Sequence, residues 1–449
     1  MSVLEFTKKD EGTRDYPISA VAKNEWLSFA MYTVESRAIP NMIDGLKPVQ
    51  RFYLYSSLLN SKRDFKKVSA VAGIISDYGY NHGEASAAGA GQLMAATWNN
   101  NVCLVEGRGS FGTRLVQEPG AARYVYTRVH SNFEKYVKDI DLSPVHSDPE
   151  HEPPMFYLPV LPLVLANGTK GIATGFATNI LPRSASSLSS AVREFLLSGT
   201  ISERLPVQFP EFDGDVTYDS VEERYSVRGK FERNSKTVLT ITEVPYGYDR
   251  EAYVKVLDAL EDNNDIVSYE DLCDKKGFRF EVKLKLASAN AWTDERIIRK
   301  FKLSKPLSEN ITVIDFDGKL REYKDERDLI KDFCNYRLGI LGKRIELRKA
   351  EADEEIRWLK IKMEFIQSVL DDKIKFKNQK KSAVGKQITD HTSAKQDDVD
   401  RLLRINIMSL TDEMVKELEK DIKKVQKDVR YWESTTPKKQ FIIDLDEVS

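Results

Sequence analysis

From residue 326 to 435 the chain has no proline and only three glycines, and its apolar residues fall into two seams. The first runs Leu338, Leu341, Ile345, Arg348, Ala352, Ile356, Leu359, Met363, Ile366 and Leu370, in steps of three and four, with Arg348 its one polar member. The second runs Met414, Leu418, Ile422, Val425, Val429 and Trp432 with the same spacing. Steps of this kind lay an apolar stripe along one side of a helix, and the charged remainder offers no second face to bury. Two stripes separated by less regular sequence predict a long antiparallel coiled coil over 326–435, rather than a plain helical bundle. A small helical cap is expected at its tip, near 373–410. At 1.5 Å per residue the first helix extends on the order of 60 Å.

The rest of the chain has other textures. Residues 1–24 read as an irregular or partly helical arm. Residues 25–145 alternate short helical patterns (Glu25–Ser36, Pro48–Asn60, Ser86–Asn99) with glycine-rich turns. Residues 146–325 carry the β signals Val238–Val244 and Arg279–Leu284, dense turn punctuation, and a helical pattern at Arg250–Asp262. These predict a separate α/β domain. Residues 436–449 read as a solvated tail. The fold class is therefore α+β and multidomain, with no short-period repeat.

Composition excludes several classes. At 41% hydrophobic and 31% charged the chain has material for real cores, and it has no run of about 18 apolar residues to span a membrane. Met1–Asp15 mixes charges and lacks the apolar stretch of a secretory signal. Three scattered cysteines and five histidines suit a reducing cytoplasm and give no disulfide framework or metal-ligand spacing. The net charge of −2 argues against a DNA binder taken whole. Yet residues 41–130 hold ten Lys or Arg against six acids, a local excess that suits phosphate binding in one place.

Within that basic stretch stands Ala121-Ala122-Arg123-Tyr124-Val125-Tyr126-Thr127-Arg128. A tyrosine flanked by arginines can attack a phosphodiester, with bidentate guanidinium groups taking up the charge that builds on the phosphate oxygens. The ester so formed keeps the energy of the broken bond. The plain alternative is a half-buried tyrosine with a wet hydroxyl. Upstream, Gly107-Arg108-Gly109-Ser110-Phe111-Gly112 contains a G-x-G-x-x-G string, but Thr113–Gly120 after it has no amphipathic helix. It predicts a sharp turn presenting the tyrosine, not a dinucleotide site.

Ordered segments then give a resemblance. Ser36-Arg37-Ala38-Ile39-Pro40, Asp44-Gly45-Leu46-Lys47-Pro48-Val49-Gln50-Arg51, His82-Gly83-Glu84, Gly107–Gly112, Ala121–Tyr124, Leu165–Gly175 and the stretch from Leu402 to Thr411 resemble the breakage-reunion subunit of type IIA DNA topoisomerases. They come in that family's order and at similar spacing, over most of the chain. The short form, ending with the coiled coil, is most similar to the separately encoded subunits of T4-like phages.

The resemblance implies a winged-helix-type cleavage domain at 25–145, a tower domain at 146–325, and an exit gate at the coiled-coil cap. It implies Tyr124 as nucleophile and Arg123 as its phosphate-side partner. Arg37, Lys47, Arg51, Lys66, Lys67, His82 and Arg128 would lie along DNA, and Ile172 would wedge between base pairs. A core isoleucine is the alternative for Ile172, and a packed histidine at a helix start for His82. Tyr80 and Gln50 stand where gyrase-type members have histidines, and Phe52 where many have a base. It implies an ATP-dependent enzyme acting in the cytoplasm, the host's if phage-encoded. Its partners would be double-stranded DNA, a second copy of the chain, and subunits supplying the ATPase and Toprim functions. Mg²⁺ would be held by the Toprim partner and ATP hydrolysed by the partner; no cofactor or metal would be bound by this chain. The competing classes are a DNA-binding scaffold and a nuclease of another family, neither of which leaves protein on the DNA end.

Overall fold

The computed structural model describes Lys23, residues 26–406 and residues 410–448. The arm expected over 1–24 lies, apart from Lys23, outside the described residues. The chain divides into two compact units, one running to Cys334 and rejoined by Glu447, the other Asn335–Asp446.

The first unit begins with the helix Leu27–Thr33, which widens into a π-helical turn at Val34–Ala38. The helix Pro48–Asn60 has the predicted bounds. Pro48 opens it, where a missing N–H leaves no bond unmade, and Arg51, Phe52, Tyr53, Leu54, Ser56 and Ser57 are buried. Against it lies Glu84–Met94, shorter than the 86–99 expected. The two approach so closely that a Cβ on Gly91 would stand 2.2 Å from the Tyr53 ring. Three short antiparallel strands complete this part: Tyr126–Val129 lies between Lys66–Lys67 and Val105–Arg108.

Further along, a four-stranded antiparallel sheet runs Ile266–Asp271, Phe280–Leu284, Val238–Glu243, Lys230–Arg233 in spatial order. The Arg250–Asp262 helix, capped by the Asp249 carboxylate accepting from the Ala252 N–H, shares its core through Tyr253, Val256, Leu257 and Leu260. A three-stranded sheet and two hairpins complete the unit's described strands, one of the hairpins being Thr169–Ile172 with Ala177–Ile180.

The boundary expected near residue 145 is not a break in packing. Arg114, in the earlier part, is buried beside Glu243, with an Nη1–Oε2 distance of 3.0 Å. Its guanidinium lies 5.1–5.3 Å from the ring centroids of Phe212, Tyr246 and Phe278. Leu115 next to it joins the sheet core. A charge this enclosed is stable only when paired, so the two parts share one interior.

The second unit holds most of the helix Glu326–Leu370, whose 45 residues extend roughly 67 Å. It also holds the helix Asp412–Ser434, which Thr411 caps by accepting from the Met414 N–H. Ile361, Phe365 and Ile366 of the first meet Met414, Val415 and Leu418 of the second, together with Ile374, Val384, Ile388 and Val399 of the short helices between them.

Of the stretch 436–449, expected to be a solvated tail, the described residues 436–448 are not one. Pro437–Val448 is a helix with Phe441, Leu445 and Val448 buried. Asp444, 3% exposed, takes Arg344 at 2.8 Å and Arg337 at 3.4 Å. Burial pushes the Asp444 carboxyl up, but the Arg344 bond and charge, the Gln440 bond and the Arg337 charge outweigh it and hold the group below the usual aspartate range. A depressed folded-state value means stability present above the ordinary aspartate pKa and lost as pH falls through the lower one. Asp444→Asn is therefore expected to lower the thermal midpoint at pH 7. The deficit should shrink as pH is taken down through the aspartate range, as circular dichroism melts at several pH values would register.

Candidate active site

Tyr124 ends a turn in which its own N–H donates to the Ala121 carbonyl at 2.8 Å. The turn is pinned from behind. The N–H groups of Val68 and Ser69, at the start of a short helix, donate to the carbonyls of Val125 and Ala122 at 3.0 and 3.2 Å. Val125 is buried, and Thr127 is clasped by the Tyr53 hydroxyl at 2.6 Å. Burial pushes that Tyr53 phenol up to about 12, so it stays protonated and structural. Against this rigid support the Tyr124 side chain is 69% exposed. A tyrosine normally packs its ring and wets only its hydroxyl; here the whole side chain faces outward.

The cations expected beside it are partly there. The Arg123 guanidinium lies 4.7 Å from the Tyr124 ring centroid. Lys66 and Lys67 are exposed on the strand paired with Thr127 and Tyr126. Arg128 is held by Glu106 at 2.8 Å and lies over the Phe65 ring, 4.5 Å from its centroid. Arg37 is exposed in the last turn before Ala38. His82 is exposed just before the Glu84–Met94 helix, where the Tyr32 hydroxyl meets its Nε2 and the Tyr80 ring stands edge-on to it, 5.3 Å away.

Two expected phosphate ligands have other occupations. Arg51 is 7% exposed, and its Nε and Nη2 donate to the Asp44 carboxylate at 2.9 and 3.0 Å. Its Nη2 also donates to the Leu46 carbonyl. Buried and spent on Asp44, Arg51 is a scaffold residue and not a surface grip on phosphate. Lys47 sends its Nζ to the Lys170 carbonyl at 2.8 Å, and burial holds its ammonium below the usual lysine value.

That contact bears on Ile172. The isoleucine ends the strand Thr169–Ile172 and is 80% exposed, so it is no core residue. The base of its hairpin is fixed. Asn179 and Asn310 exchange backbone bonds at 2.9 and 3.0 Å, and a Cβ on Gly171 would stand 2.1 Å from the Ala38 carbonyl oxygen. Ile172 is thus an exposed apolar side chain on a rigid stem, carried by the chain that also presents Tyr124.

The glycine-rich string Gly107–Gly112 ends a strand and turns, with Gly109 and Gly112 at positive φ and no helix after it. Among the described residues no group of three or more His, Cys, Asp or Glu could hold a metal ion. Glu106, on the strand beside Tyr126–Val129, is taken by Arg128. The residues around Tyr124 do not fit a resident metal. No helix of the described residues is long and apolar enough to cross a membrane.

Nothing in the sequence marks Asp44, Tyr53, Arg114 or Tyr32 for the individual contacts the structure gives them. Asp44 stands in a quoted motif, but nothing in its spacing distinguishes a buried anchor from a surface acid.

Residues 37–446 match the DNA gyrase/topoisomerase IV family model, that of the A-type subunit. The chain is 42% identical over 439 residues to the DNA topoisomerase medium subunit of Enterobacteria phage T4, covering 96% of this chain and 98% of that one. It is 28% identical to DNA topoisomerase 2 of Candida albicans, covering 87% of this chain but only 27% of the larger protein. Its fold is similar to the crystal structure of the Plasmodium falciparum topoisomerase II DNA-binding, cleavage and re-ligation domain. The TM-score is 0.86 at 25% identity, covering 94% of this chain and 63% of that one.

Proposed function

The chain belongs to the A-type family of DNA gyrase and topoisomerase IV, and from that membership we propose a mechanism in which Tyr124 is the nucleophile. The protein is the DNA-cleaving and rejoining component of an ATP-dependent type II DNA topoisomerase, working with partner subunits. The observation that carries the assignment is an outward phenol on a pinned turn, with Arg123 over its ring and Lys66 and Lys67 on the paired strand.

The Tyr124 Oη attacks a backbone phosphorus. An oxygen–phosphorus bond to tyrosine forms as the bond to the 3′ oxygen breaks; the phenolic proton is lost and the leaving oxygen gains one. The DNA is left with a 5′-phosphotyrosyl end and a free 3′ hydroxyl. That hydroxyl reverses the attack, and no ATP is needed because one phosphodiester has replaced another. Arg123 neutralises the equatorial oxygens as charge grows. Lys66, Lys67, Arg37 and Arg128 hold the strand by phosphate contacts. His82 supports the cleaved strand from the start of its helix. Lys47 steadies the hairpin from which Ile172 enters the base stack.

In this reading residues 25–145 are the winged-helix-type cleavage part and 146–325 the tower part of one continuously packed body, and 326–435 form a coiled coil whose cap near 373–410 is an exit gate. Two copies cut opposite strands, so a second duplex passes through the gap; the chain works as a homodimer, in the cytoplasm. Mg²⁺, which a Toprim partner would hold, would supply charge neutralisation at the leaving oxygen, and ATP would be hydrolysed on a partner chain.

The test is to combine the chain with its ATPase and Toprim partners, ATP, Mg²⁺ and supercoiled DNA, then quench with detergent. Linear DNA with protein on its 5′ ends and free 3′ hydroxyls is expected. Protein on 3′ ends, or unblocked breaks, contradicts the mechanism. A second expected result concerns Ile172→Ala. Wedging residues kink DNA by about 20–90°, so the variant should bend a labelled duplex less, by energy transfer between its ends. Its melting temperature should be unchanged, because the side chain is exposed.

A further inference from the structure

Between residues 373 and 386 the sequence reads Lys-Ile-Lys-Phe-Lys-Asn-Gln-Lys-Lys-Ser-Ala-Val-Gly-Lys: six lysines and no acid, in a chain of net charge −2. Elsewhere in the same unit the signs are interleaved. The helix Asp412–Ser434 carries six basic and seven acidic residues. A mixed surface is the ordinary way to keep a protein soluble; six like charges without an acid repel one another.

All six lysines are exposed, and the segment has a defined shape. Ile374 is buried in the core of the unit, and Phe376 stands edge-on to Phe365 at 6.3 Å. The N–H groups of Lys373 and Ile374 donate to the Ser368 carbonyl at 2.9 and 3.1 Å. The Lys375 N–H donates to the Gln387 side chain at 2.9 Å, and Gln387 donates to Gln379 at 2.6 Å. Asp372 and Asn378 take positive φ at its bends. Lys373 is paired with Asp371 and Lys381 with Asp400. Lys375, Lys377, Lys380 and Lys386 have no acidic partner among the described residues. The backbone is thus fixed while four ammonium groups are left to solvent, an arrangement ready for an extended polyanion.

We infer that Lys375, Lys377, Lys380 and Lys386 form a second DNA-binding surface, which contacts the backbone of the transported duplex rather than the one that is cut. This rests on the reading of the chain as a strand-passage enzyme. Duplex DNA is the occupant the chemistry favours. It presents one negative charge per 1.7 Å or so of axis, and exposed lysines recognise it without sequence preference, as a duplex in transit requires.

The experiment uses the enzyme assembled with its partner subunits and two variants, one with all four lysines changed to glutamine and one with all four changed to glutamate. Two quantities are measured across a salt series: covalent cleavage of a short linear duplex, and unlinking of interlocked DNA circles. Cleavage should match wild type within about twofold. Each lost phosphate contact removes about 0.9 from the slope of log affinity against log salt. Unlinking by the glutamine variant should therefore fall several-fold and lose part of its salt dependence, and the glutamate variant should fall further. Unlinking at the wild-type rate and slope overturns the inference. So does a fall in cleavage equal to the fall in unlinking. If wild type itself forms no covalent complex, the mechanism assigned to Tyr124 has failed, and that is seen separately.

Discussion

Replacing Tyr124 by phenylalanine leaves a folded, DNA-binding protein that forms no covalent link to DNA. The ring is exposed, so the lost hydroxyl removes no buried bond, and stability should change by no more than about 0.5 kcal/mol. Arg123, Lys66 and Lys67 remain, so affinity for a duplex persists. What disappears is the atom that attacks. Removal of a nucleophile that acts as part of a unit lowers turnover on the order of 10⁴-fold or more. Supercoil relaxation by the reconstituted enzyme, with duplex binding measured in parallel, checks both halves. Relaxation within tenfold of wild type would exclude Tyr124 as the nucleophile.

The largest expected effect on stability is at Asp44. Its carboxylate accepts from Arg51 twice, from the Leu46 N–H and from the Tyr157 N–H, each near 3.0 Å, and it is 1% exposed. Asp44→Ala strands a buried guanidinium and two buried amides. Breaking a buried pair from one side costs about 3–5 kcal/mol. Asp44→Ala with Arg51→Met removes the stranded charge, so the double variant should be more stable than the single one, although it lacks more native bonds. Denaturant midpoints of the three proteins give the comparison. A double variant weaker than the single by the full sum would mean that Arg51 contributes independently of Asp44. Because Asp44 also holds Tyr157, the single variant should lose cleavage through loss of fold rather than chemistry.

The contrast between these two residues tells what the sequence can convey. Tyr124 was legible because its surroundings are local: the arginine beside it, the glycine-rich turn before it and the ordered motifs around it. The long helix was legible for the same reason, since a stripe at helical spacing needs no knowledge of its partner. Ile172 was half legible. Its motif placed it, but only its position at the end of a fixed hairpin strand separated an exposed side chain from a core residue.

Arg51 looked like a surface cation, and no spacing reveals that a carboxylate seven residues earlier folds back to meet it. Arg114 was silent because its partners, Glu243 and three aromatic rings, lie about a hundred or more residues further along. The final helix was missed because its polar residues suggested solvent. Asp444 is buried only because Arg337 and Arg344 are turned inward to receive it, one hundred residues away in sequence for Arg344. Charges that pair across long separations are the common element in what could not be read. Arg123, Lys66 and Lys67, by contrast, stand exposed near Tyr124, and the sequence displays such local clusters more openly.

The most direct measurement is a peptide map of the cleavage complex. The chain is assembled with its ATPase and Toprim partners on supercoiled DNA with ATP and Mg²⁺, trapped with detergent and digested with trypsin, and the peptide left on the DNA end is sequenced by mass spectrometry. A peptide containing Tyr124, esterified to a 5′ phosphate, is predicted. A covalent peptide from elsewhere in the chain, or intact binding with no covalent peptide, would contradict the assignment of Tyr124.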